Sequence, residues 1–159
     1  MDLDRLSRLR DFAAEVERLT YQLVKNNESC DRVCVAQYGI TSSQGYTLLS
    51  LPGEDTLSMN ELSKAMGVDN STMTRMVDQL VDKALVRRKP DEKDRRQVLI
   101  GLTAQGQELR GNLEQALQSL YEEALGEIGE DECLTIIHGL KRLNEVFAKS
   151  IESLAKVVP

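Results

Sequence analysis

Two short helices joined by a tight glycine turn constrain the fold of this sequence most strongly. Ser58 and Glu61 form a capping-box pattern that opens a short helix, which ends at Gly67. After a three-residue break, Asn70 can cap a second helix that runs to about Ala84. Glycine at position 67 supplies the positive φ that such a turn requires. This order predicts a helix-turn-helix.

A basic hairpin is predicted directly after the second helix. Leu85–Lys89 and Gln97–Leu102 alternate in polarity and flank a polar turn at Pro90–Arg96, as the two strands of a β-hairpin do. Residues 87–96 contain six Lys or Arg and three Asp or Glu, a local charge of +3. A charged turn that only keeps a hairpin soluble is common, but it explains poorly why basic residues concentrate here in an acidic chain. We therefore predict a winged helix-turn-helix.

The outer face of the second helix carries short hydroxyls and a guanidinium in its first turns. These residues are Ser71, Thr72, Thr74 and Arg75. Such side chains at a helix N-terminus suit phosphates and base edges in a DNA major groove. The simpler alternative is a solvated helix with ordinary polar residues, because helix-turn-helix geometry also occurs without DNA.

Long amphipathic helices are predicted on both sides of this central segment. Apolar residues recur in steps of three and four, which is typical of a helix that packs on another helix. The first set is Leu9, Phe12, Val16, Leu19 and Leu23; the second begins with Leu109, Leu113, Leu117 and Leu120 and continues through Ile137, Leu140, Leu143, Phe147, Ile151 and Leu154. They could form a bundle within one subunit or an interface with a second subunit. The interface is favoured, because a small central domain cannot cover stripes of this length.

Composition and charge narrow the class of protein further. The 159 residues carry a formal charge of −6 and three cysteines, an odd number that fits a reduced compartment better than a disulfide framework. Neither a signal peptide nor an apolar run of about 20 residues is evident, so we expect a cytoplasmic protein. No phosphate-binding glycine loop or nucleophile elbow is present, and we expect no enzymatic activity.

The acidic net charge does not exclude DNA, because the charge is unevenly distributed. Residues 58–96 hold nine Lys or Arg and seven Asp or Glu, a local +2, so the rest of the chain carries −8. Acidity therefore belongs mainly to the terminal helices. We expect weak non-specific DNA affinity and a complex that is easily dissociated.

Four segments of the sequence resemble the MarR family of bacterial transcriptional regulators in their order and spacing. They are Ser71–Leu80 (STMTRMVDQL), Lys83–Arg88 (KALVRR), Asp91–Arg96 (DEKDRR) and Leu102–Gly106 (LTAQG). The resemblance is specific over about residues 58–106 and extends more weakly to the flanking helices.

The resemblance implies a mainly α fold, a winged helix-turn-helix with a small β-hairpin wing and long terminal dimerisation helices. On this basis residues 41–103 form the DNA-binding domain, and 1–40 with 104–159 form the helical dimerisation region. Two such lobes of a homodimer would bind double-stranded DNA at a pseudo-palindromic operator. The implied function is transcriptional repression, relieved by a small ligand, a soft metal or metalloid, or thiol oxidation.

The resemblance also assigns roles to individual residues. Ser71, Thr72, Thr74 and Arg75 would lie in the major groove. Arg96 at the wing tip would enter the minor groove, with Asp94 orienting it through an ion pair. Arg88, Lys93 and Arg95 are expected to contact phosphates, which position the protein without reading sequence.

Two residues depart from the family pattern. Ala84 stands where the family usually has glycine just before the hairpin, and we expect this change to matter little. Glu92 adds an acid to the wing, which should lower general DNA affinity.

Cys30 and Cys34 are a candidate effector site, because helical spacing of four puts both thiols on one side. In the family, the region between the first helix and the winged lobe lines the cleft where effectors act. Helical Cβ atoms at this spacing are about 5–6 Å apart, too far for a relaxed disulfide, which needs roughly 3.5–4.5 Å. A thiophilic metal or metalloid that bridges the two sulfurs fits this distance better than a disulfide bond does. The alternative is two buried cysteines that act as small apolar residues.

Two functions from other classes remain open at this stage. A helical dimer could act as a protein adaptor without DNA affinity, or the thiols could belong to a metal-handling protein or dithiol enzyme. The latter would need a C-x-x-C or an added acid–base group, and the sequence has neither.

Overall fold

The computed structural model describes residues 3–91, 94 and 97–155 and is mainly helical. Its elements follow in the order α1 (Leu3–Ala36), α2 (Ser42–Ser50), β1 (Leu57–Ser58), α3 (Met59–Met66), α4 (Asn70–Asp82), β2 (Val86–Pro90), β3 (Val98–Leu102), α5 (Ala104–Leu125) and α6 (Glu130–Ala155). By contact, the chain divides into two compact units, one up to Leu117 and one from Gln118. The mainly α fold class with a small β wing is confirmed.

Capping boxes begin two of the helices, and the one at Ser58 was predicted. Thr41 accepts a hydrogen bond from the backbone N–H of Gln44, whose side chain accepts one from the Thr41 N–H, and α2 begins there. Ser58 and Glu61 make the same reciprocal pair at the start of α3. Each box satisfies backbone donors that a helix start leaves unpaired.

The turn between α3 and α4 uses Gly67 as predicted, but the cap of α4 differs from the expectation. Gly67 has φ +64°, in the left-handed region. Asp69, not Asn70, is the N-cap, because its carboxylate accepts a hydrogen bond from the backbone N–H of Thr72 at 2.9 Å. Asn70 is already the first helical residue, so the prediction was displaced by one position.

The core of the first unit lies among α2, α3, α4 and the sheet. Its fully buried side chains include Leu48, Leu51, Leu62, Met73, Val77, Leu80 and Ile100, and Leu113 of α5 packs beside them. The apolar residues of α3 and α4 recur at helical spacing, so the two helices pack together through one face each. The opposite face of α4 is left exposed.

The wing is a three-stranded antiparallel sheet in the order β1-β3-β2. The predicted hairpin pairs Val86 with Leu102 and Lys89 with Leu99. The two-residue strand β1 was not expected, and it pairs Leu57 with Ile100 along the other edge of β3. Two residues are too few for alternation to signal a strand.

Ala84 joins α4 to the wing in the left-handed conformation, with φ +56°. A non-glycine residue pays about 1–2 kcal/mol for this region. The expectation that alanine here matters little is therefore wrong. Glycine at this position would adopt the same turn without the steric conflict.

Two further features of the helices bear on function. Helix α1 extends well beyond the apolar set that ends at Leu23, through Cys30 and Cys34 to Ala36. None of the helices within the described residues combines the length and the apolar character needed to cross a membrane.

Candidate nucleic-acid interface

The second helix of the helix-turn-helix, α4, is held by a buried inner face and presents a polar outer face. Met73, Val77 and Leu80 are fully buried. The four residues predicted to enter the major groove all lie on the exposed side: Ser71, Thr72, Thr74 and Arg75. The packing therefore brings together the residues that the sequence pattern assigned to DNA.

The hydroxyls at the start of α4 are already engaged as donors. Ser71 Oγ and Thr72 Oγ1 donate to the two carboxylate oxygens of Asp69, the latter at 2.7 Å. The hydrogen bond from Ser71 lowers the pKa of Asp69 most, and the bond from Thr72 lowers it further. Together they hold this pKa well below its usual range. Thr74 Oγ1 donates to the carbonyl of Asn70 at 2.7 Å. With their protons directed inward, the three hydroxyls can offer lone pairs outward as acceptors.

Arg75 is the cation of this face. Its side chain is exposed and makes no hydrogen bond or ion pair with the residues that the structure describes. A free guanidinium fork can pair with the O6 and N7 acceptors of guanine or with a phosphate. Donor capacity on this face is thus concentrated in Arg75.

Strand β2 carries three exposed cations: Arg87, Arg88 and Lys89. Side chains alternate along a strand, so Arg88 lies on the face towards α4 and the other two lie on the opposite face. Arg88, which we expected to contact phosphate, forms an ion pair with Asp78 of α4, with Nη2 and Oδ1 2.6 Å apart. In the free chain this guanidinium is therefore shared between the wing and the recognition helix.

The tip of the wing is only partly within the described residues. The Asp91 N–H donates to the Gln97 carbonyl at 3.0 Å, and the Gln97 N–H donates to the Asp94 carbonyl at 2.8 Å. The Asp94 carboxylate accepts from Gln97 Nε2 at 3.4 Å. Glu92, Lys93, Arg95 and Arg96 lie outside the described residues, so the roles assigned to them remain predictions.

Helix α2 contacts both α1 and α4. Towards α4, Gln44 Nε2 donates to Gln79 Oε1 at 2.9 Å. On its other side, Tyr46 Oη donates to Asp31 Oδ2 of α1 at 2.5 Å. These contacts connect the end of α1 to the recognition helix within the first unit.

Cys30 and Cys34 lie together on α1, as predicted, and both thiols are free. Burial raises the pKa of Cys34, and a hydrogen bond with Cys30 raises it further. A raised thiol pKa lowers the thiolate fraction at neutral pH and slows oxidation. Within residues 3–91, 94 and 97–155, no three His, Cys, Asp or Glu side chains gather closely enough to hold a metal ion.

Cys34 also borders a small cavity between α1, α2 and α5. Its wall includes Asp31, Tyr46, Leu49 and Leu113. The cavity holds about 10 Å³, close to the space of one water molecule.

Sequence reasoning missed three residues that shape this interface: Asp69, Asp78 and Gln79. Asp69 directly precedes α4, and N-cap preference alone could have identified it. Asp78 lies three residues after Arg75 and seven after Ser71, so helical spacing places it on the same face. The partner of Gln79 is distant in sequence, and no local pattern signals that bond.

Comparison with known proteins finds similar chains among HTH-type transcriptional regulators. The model of the MarR family matches residues 40–98. The multiple antibiotic resistance protein MarR of Escherichia coli is 32% identical over 121 residues, which span 74% of this chain and 84% of that protein. An uncharacterised HTH-type transcriptional regulator of Bacillus subtilis, YdgJ, is 29% identical over 135 residues, 85% of this chain and 82% of that protein.

Solved structures of MarR regulators have a similar fold. A cysteine-to-serine mutant of E. coli MarR in complex with operator DNA has a TM-score of 0.72 and 28% identity, covering 90% of this chain and 99% of that one. A MarR transcriptional regulator from Methanosarcina mazei has a TM-score of 0.75 and 26% identity, with 86% and 98% coverage.

Proposed function

This chain belongs to the MarR family and is a DNA-binding transcriptional regulator, and we propose that it acts as a homodimeric repressor in the cytoplasm. Residues 41–103 form the DNA-binding domain of each protomer in this proposal. The helical regions 1–40 and 104–159 form the dimer. The operator is a pseudo-palindrome of double-stranded DNA, one half-site for each lobe.

The observation that carries the DNA proposal is the exposed polar face of α4 beside a basic strand. Ser71, Thr72, Thr74 and Arg75 face outward from a helix with a buried inner face, and the neighbouring strand β2 carries the exposed cations Arg87 and Lys89 on the face opposite to Arg88. A rigid helix can enter a major groove about 12 Å wide while the strand and its tip follow the backbone. Asp94 and the basic residues Lys93, Arg95 and Arg96 complete the wing in this proposal.

The homodimer is supported by apolar stripes that the single chain leaves uncovered. On α1, Leu9, Phe12 and Leu19 are 61%, 66% and 50% exposed. On α6, Phe147 and Ile151 are 49% and 61% exposed. Contiguous apolar surface of this kind on a helix marks an interface. A second copy of the chain covers it and sets two recognition helices about 34 Å apart.

Replacing Arg96 with alanine tests the DNA assignment. A minor-groove arginine contributes about 1–3 kcal/mol, so Arg96→Ala should weaken operator binding about tenfold or more at constant salt. Arg32→Ala removes the same charge from α1 and is the matched control. Fluorescence anisotropy with labelled operator measures both, and unchanged affinity for Arg96→Ala would contradict the assignment.

Repression is relieved, in this proposal, at the Cys30–Cys34 pair by a thiophilic metal or metalloid. Two adjacent thiols on one helix face suit a soft ion that takes two sulfur ligands. The raised pKa of Cys34 disfavours direct oxidation, whereas a soft ion displaces the thiol proton as it binds. A small ligand that opens the neighbouring cavity would act on the same helices.

Helix α2 transmits the effect of such an ion from α1 to the DNA-binding helix α4. Asp31 and Tyr46 join α1 to α2, and Gln44 and Gln79 join α2 to α4. An ion at Cys34 shifts the wall of the cavity, and α2 carries that shift to the recognition helix. A small change in helix tilt takes two half-sites out of register with successive major grooves.

The effector proposal is tested with the double variant Cys30→Ser, Cys34→Ser and a monosubstituted trivalent arsenical, which binds two thiols. Wild type should release operator in the presence of the arsenical. The double variant should bind operator normally and fail to release it, whereas Cys133→Ser should behave as wild type. A normal response of the double variant would exclude this thiol pair as the sensor.

A further inference from the structure

An ion pair connects the wing to the recognition helix. Asp78 of α4 and Arg88 of β2 approach to 2.6 Å, and their side chains are 51% and 35% exposed. A single exposed ion pair contributes little to stability, typically about 0.2–1 kcal/mol in double-mutant cycles. Stability therefore gives a weak reason for a carboxylate at this position.

The position of Asp78 on α4 makes the pair relevant to DNA. Asp78 follows Arg75 by three residues and Ser71 by seven, so it shares their face of the helix. A carboxylate on a surface that approaches phosphates is repelled by them. It also competes with phosphate for the guanidinium of Arg88, because both anions accept the same fork of donors.

We infer that Asp78 is a specificity-determining residue that withholds Arg88 from the phosphates of non-operator DNA. The inference rests on the proposed DNA-binding face. In a non-specific complex, affinity comes almost wholly from cations that displace counterions from phosphates. While Arg88 is paired with Asp78, it does not displace a counterion and so adds nothing to this non-specific affinity. Each lobe thus loses one phosphate contact on the wrong sequence.

The operator complex depends less on this guanidinium. Base contacts by Arg75 and the α4 hydroxyls fix the register there, and the ion pair keeps the wing strand in place against α4. Releasing Arg88 gains a phosphate contact but loosens the wing. The net effect of the pair is therefore to lower non-specific affinity more than operator affinity.

Asp78→Asn is the direct test, because asparagine keeps the size of the side chain and removes its charge. Non-operator affinity should rise about threefold to tenfold at 100 mM salt, and the slope of log K against log salt should steepen by about 0.9 per lobe. The ratio of operator to non-operator affinity should fall at least about threefold, since the operator complex gains less.

Three further variants isolate the cause. Asp82→Asn removes an equal charge from the same helix, where the structure shows no ion pair among the described residues, and it should change the slope much less. Asp78→Glu retains a carboxylate and should restore the wild-type ratio. The Asp78→Asn substitution should raise non-operator affinity much less in an Arg88→Ala background than in wild type, because only the lost repulsion of the carboxylate remains there.

The outcomes separate this inference from the function on which it rests. If wild type binds no duplex DNA at low salt, the DNA-binding function fails and the inference fails with it. If wild type binds operator but Asp78→Asn matches Asp82→Asn, only the role of Asp78 is overturned. An equal gain with and without Arg88 also overturns it, because the gain would then come from lost repulsion alone. Far-ultraviolet circular dichroism of each variant confirms that α4 is intact.

Discussion

Replacing Ala84 with glycine should stabilise the protein, because the backbone there is held in a conformation that alanine resists. Ala84 has φ +56°, and its neighbours keep it there. Its N–H donates to the Val81 carbonyl at 2.8 Å, and its own carbonyl accepts from Thr103 Oγ1 at 2.7 Å. The turn cannot relax without the loss of these bonds between α4, the wing and the start of α5.

The magnitude follows from two opposing terms. An L-residue with a Cβ pays about 1–2 kcal/mol in the left-handed region, and glycine avoids this conflict. Glycine also loses more conformational freedom on folding than alanine does, which destabilises the variant by about 0.5–1 kcal/mol. Ala84 is exposed, so the lost methyl group removes little packing. The central values of the two terms, about 1.5 and about 0.75 kcal/mol, leave a net gain of about 0.75 kcal/mol per chain. At about 2–4 °C for each kcal/mol in a chain of this size, the unfolding temperature should rise by roughly 1.5–3 °C.

Urea denaturation at a fixed protein concentration measures this gain, since the unfolding midpoint of a dimer depends on concentration. Ala65→Gly is the matched control: Ala65 is exposed within α3, and glycine there should cost about 1 kcal/mol. Opposite signs for the two substitutions support the assignment of strain to Ala84. Equal destabilisation by both would refute it.

Two other predictions concern the backbone of α5 and the cap of α4. A Cβ on Gly106 would lie 1.9 Å from the Leu85 carbonyl oxygen, so Gly106→Ala should destabilise the fold by about 3 kcal/mol in thermal unfolding. Gly111→Ala is the control: a Cβ there would have nothing within 4 Å, and the substitution should be neutral or slightly stabilising. The pKa of Asp69 is lowered by folding, so its charge adds stability above the pKa of the unfolded chain, near 4, and that stability is lost as pH falls. Asp69→Asn keeps a capping side chain without this charge, and its stability deficit in urea should shrink between pH 7 and pH 3; a deficit independent of pH would contradict the account.

Local chemistry made the helix-turn-helix predictable. The capping boxes at Thr41 and Ser58, the glycine at 67 and the alternation of the two long wing strands each depend on neighbouring residues. The exposed face of α4 followed from helical spacing, because burying Met73 forces residues one position away to the outside.

Features that depend on distant residues were not predictable in this way. The bond between Gln44 and Gln79 joins positions 35 apart, and the pairing of β1 with β3 depends on a partner more than 40 residues away. The strain at Ala84 arises because the turn is fixed by Thr103, which sequence alone does not connect to it. The capture of Arg88 by Asp78 likewise needs the packing of the wing on α4.

Selection from a random pool of duplexes tests most directly whether this chain is a dimeric reader of DNA. The purified full chain is incubated with the pool at about 150 mM salt, and bound duplexes are amplified and sequenced. The account predicts a two-fold-related consensus with half-site centres about 10–10.5 base pairs apart, bound by two chains for each site. Failure to enrich any sequence, or enrichment of a single half-site bound by one chain, would contradict it.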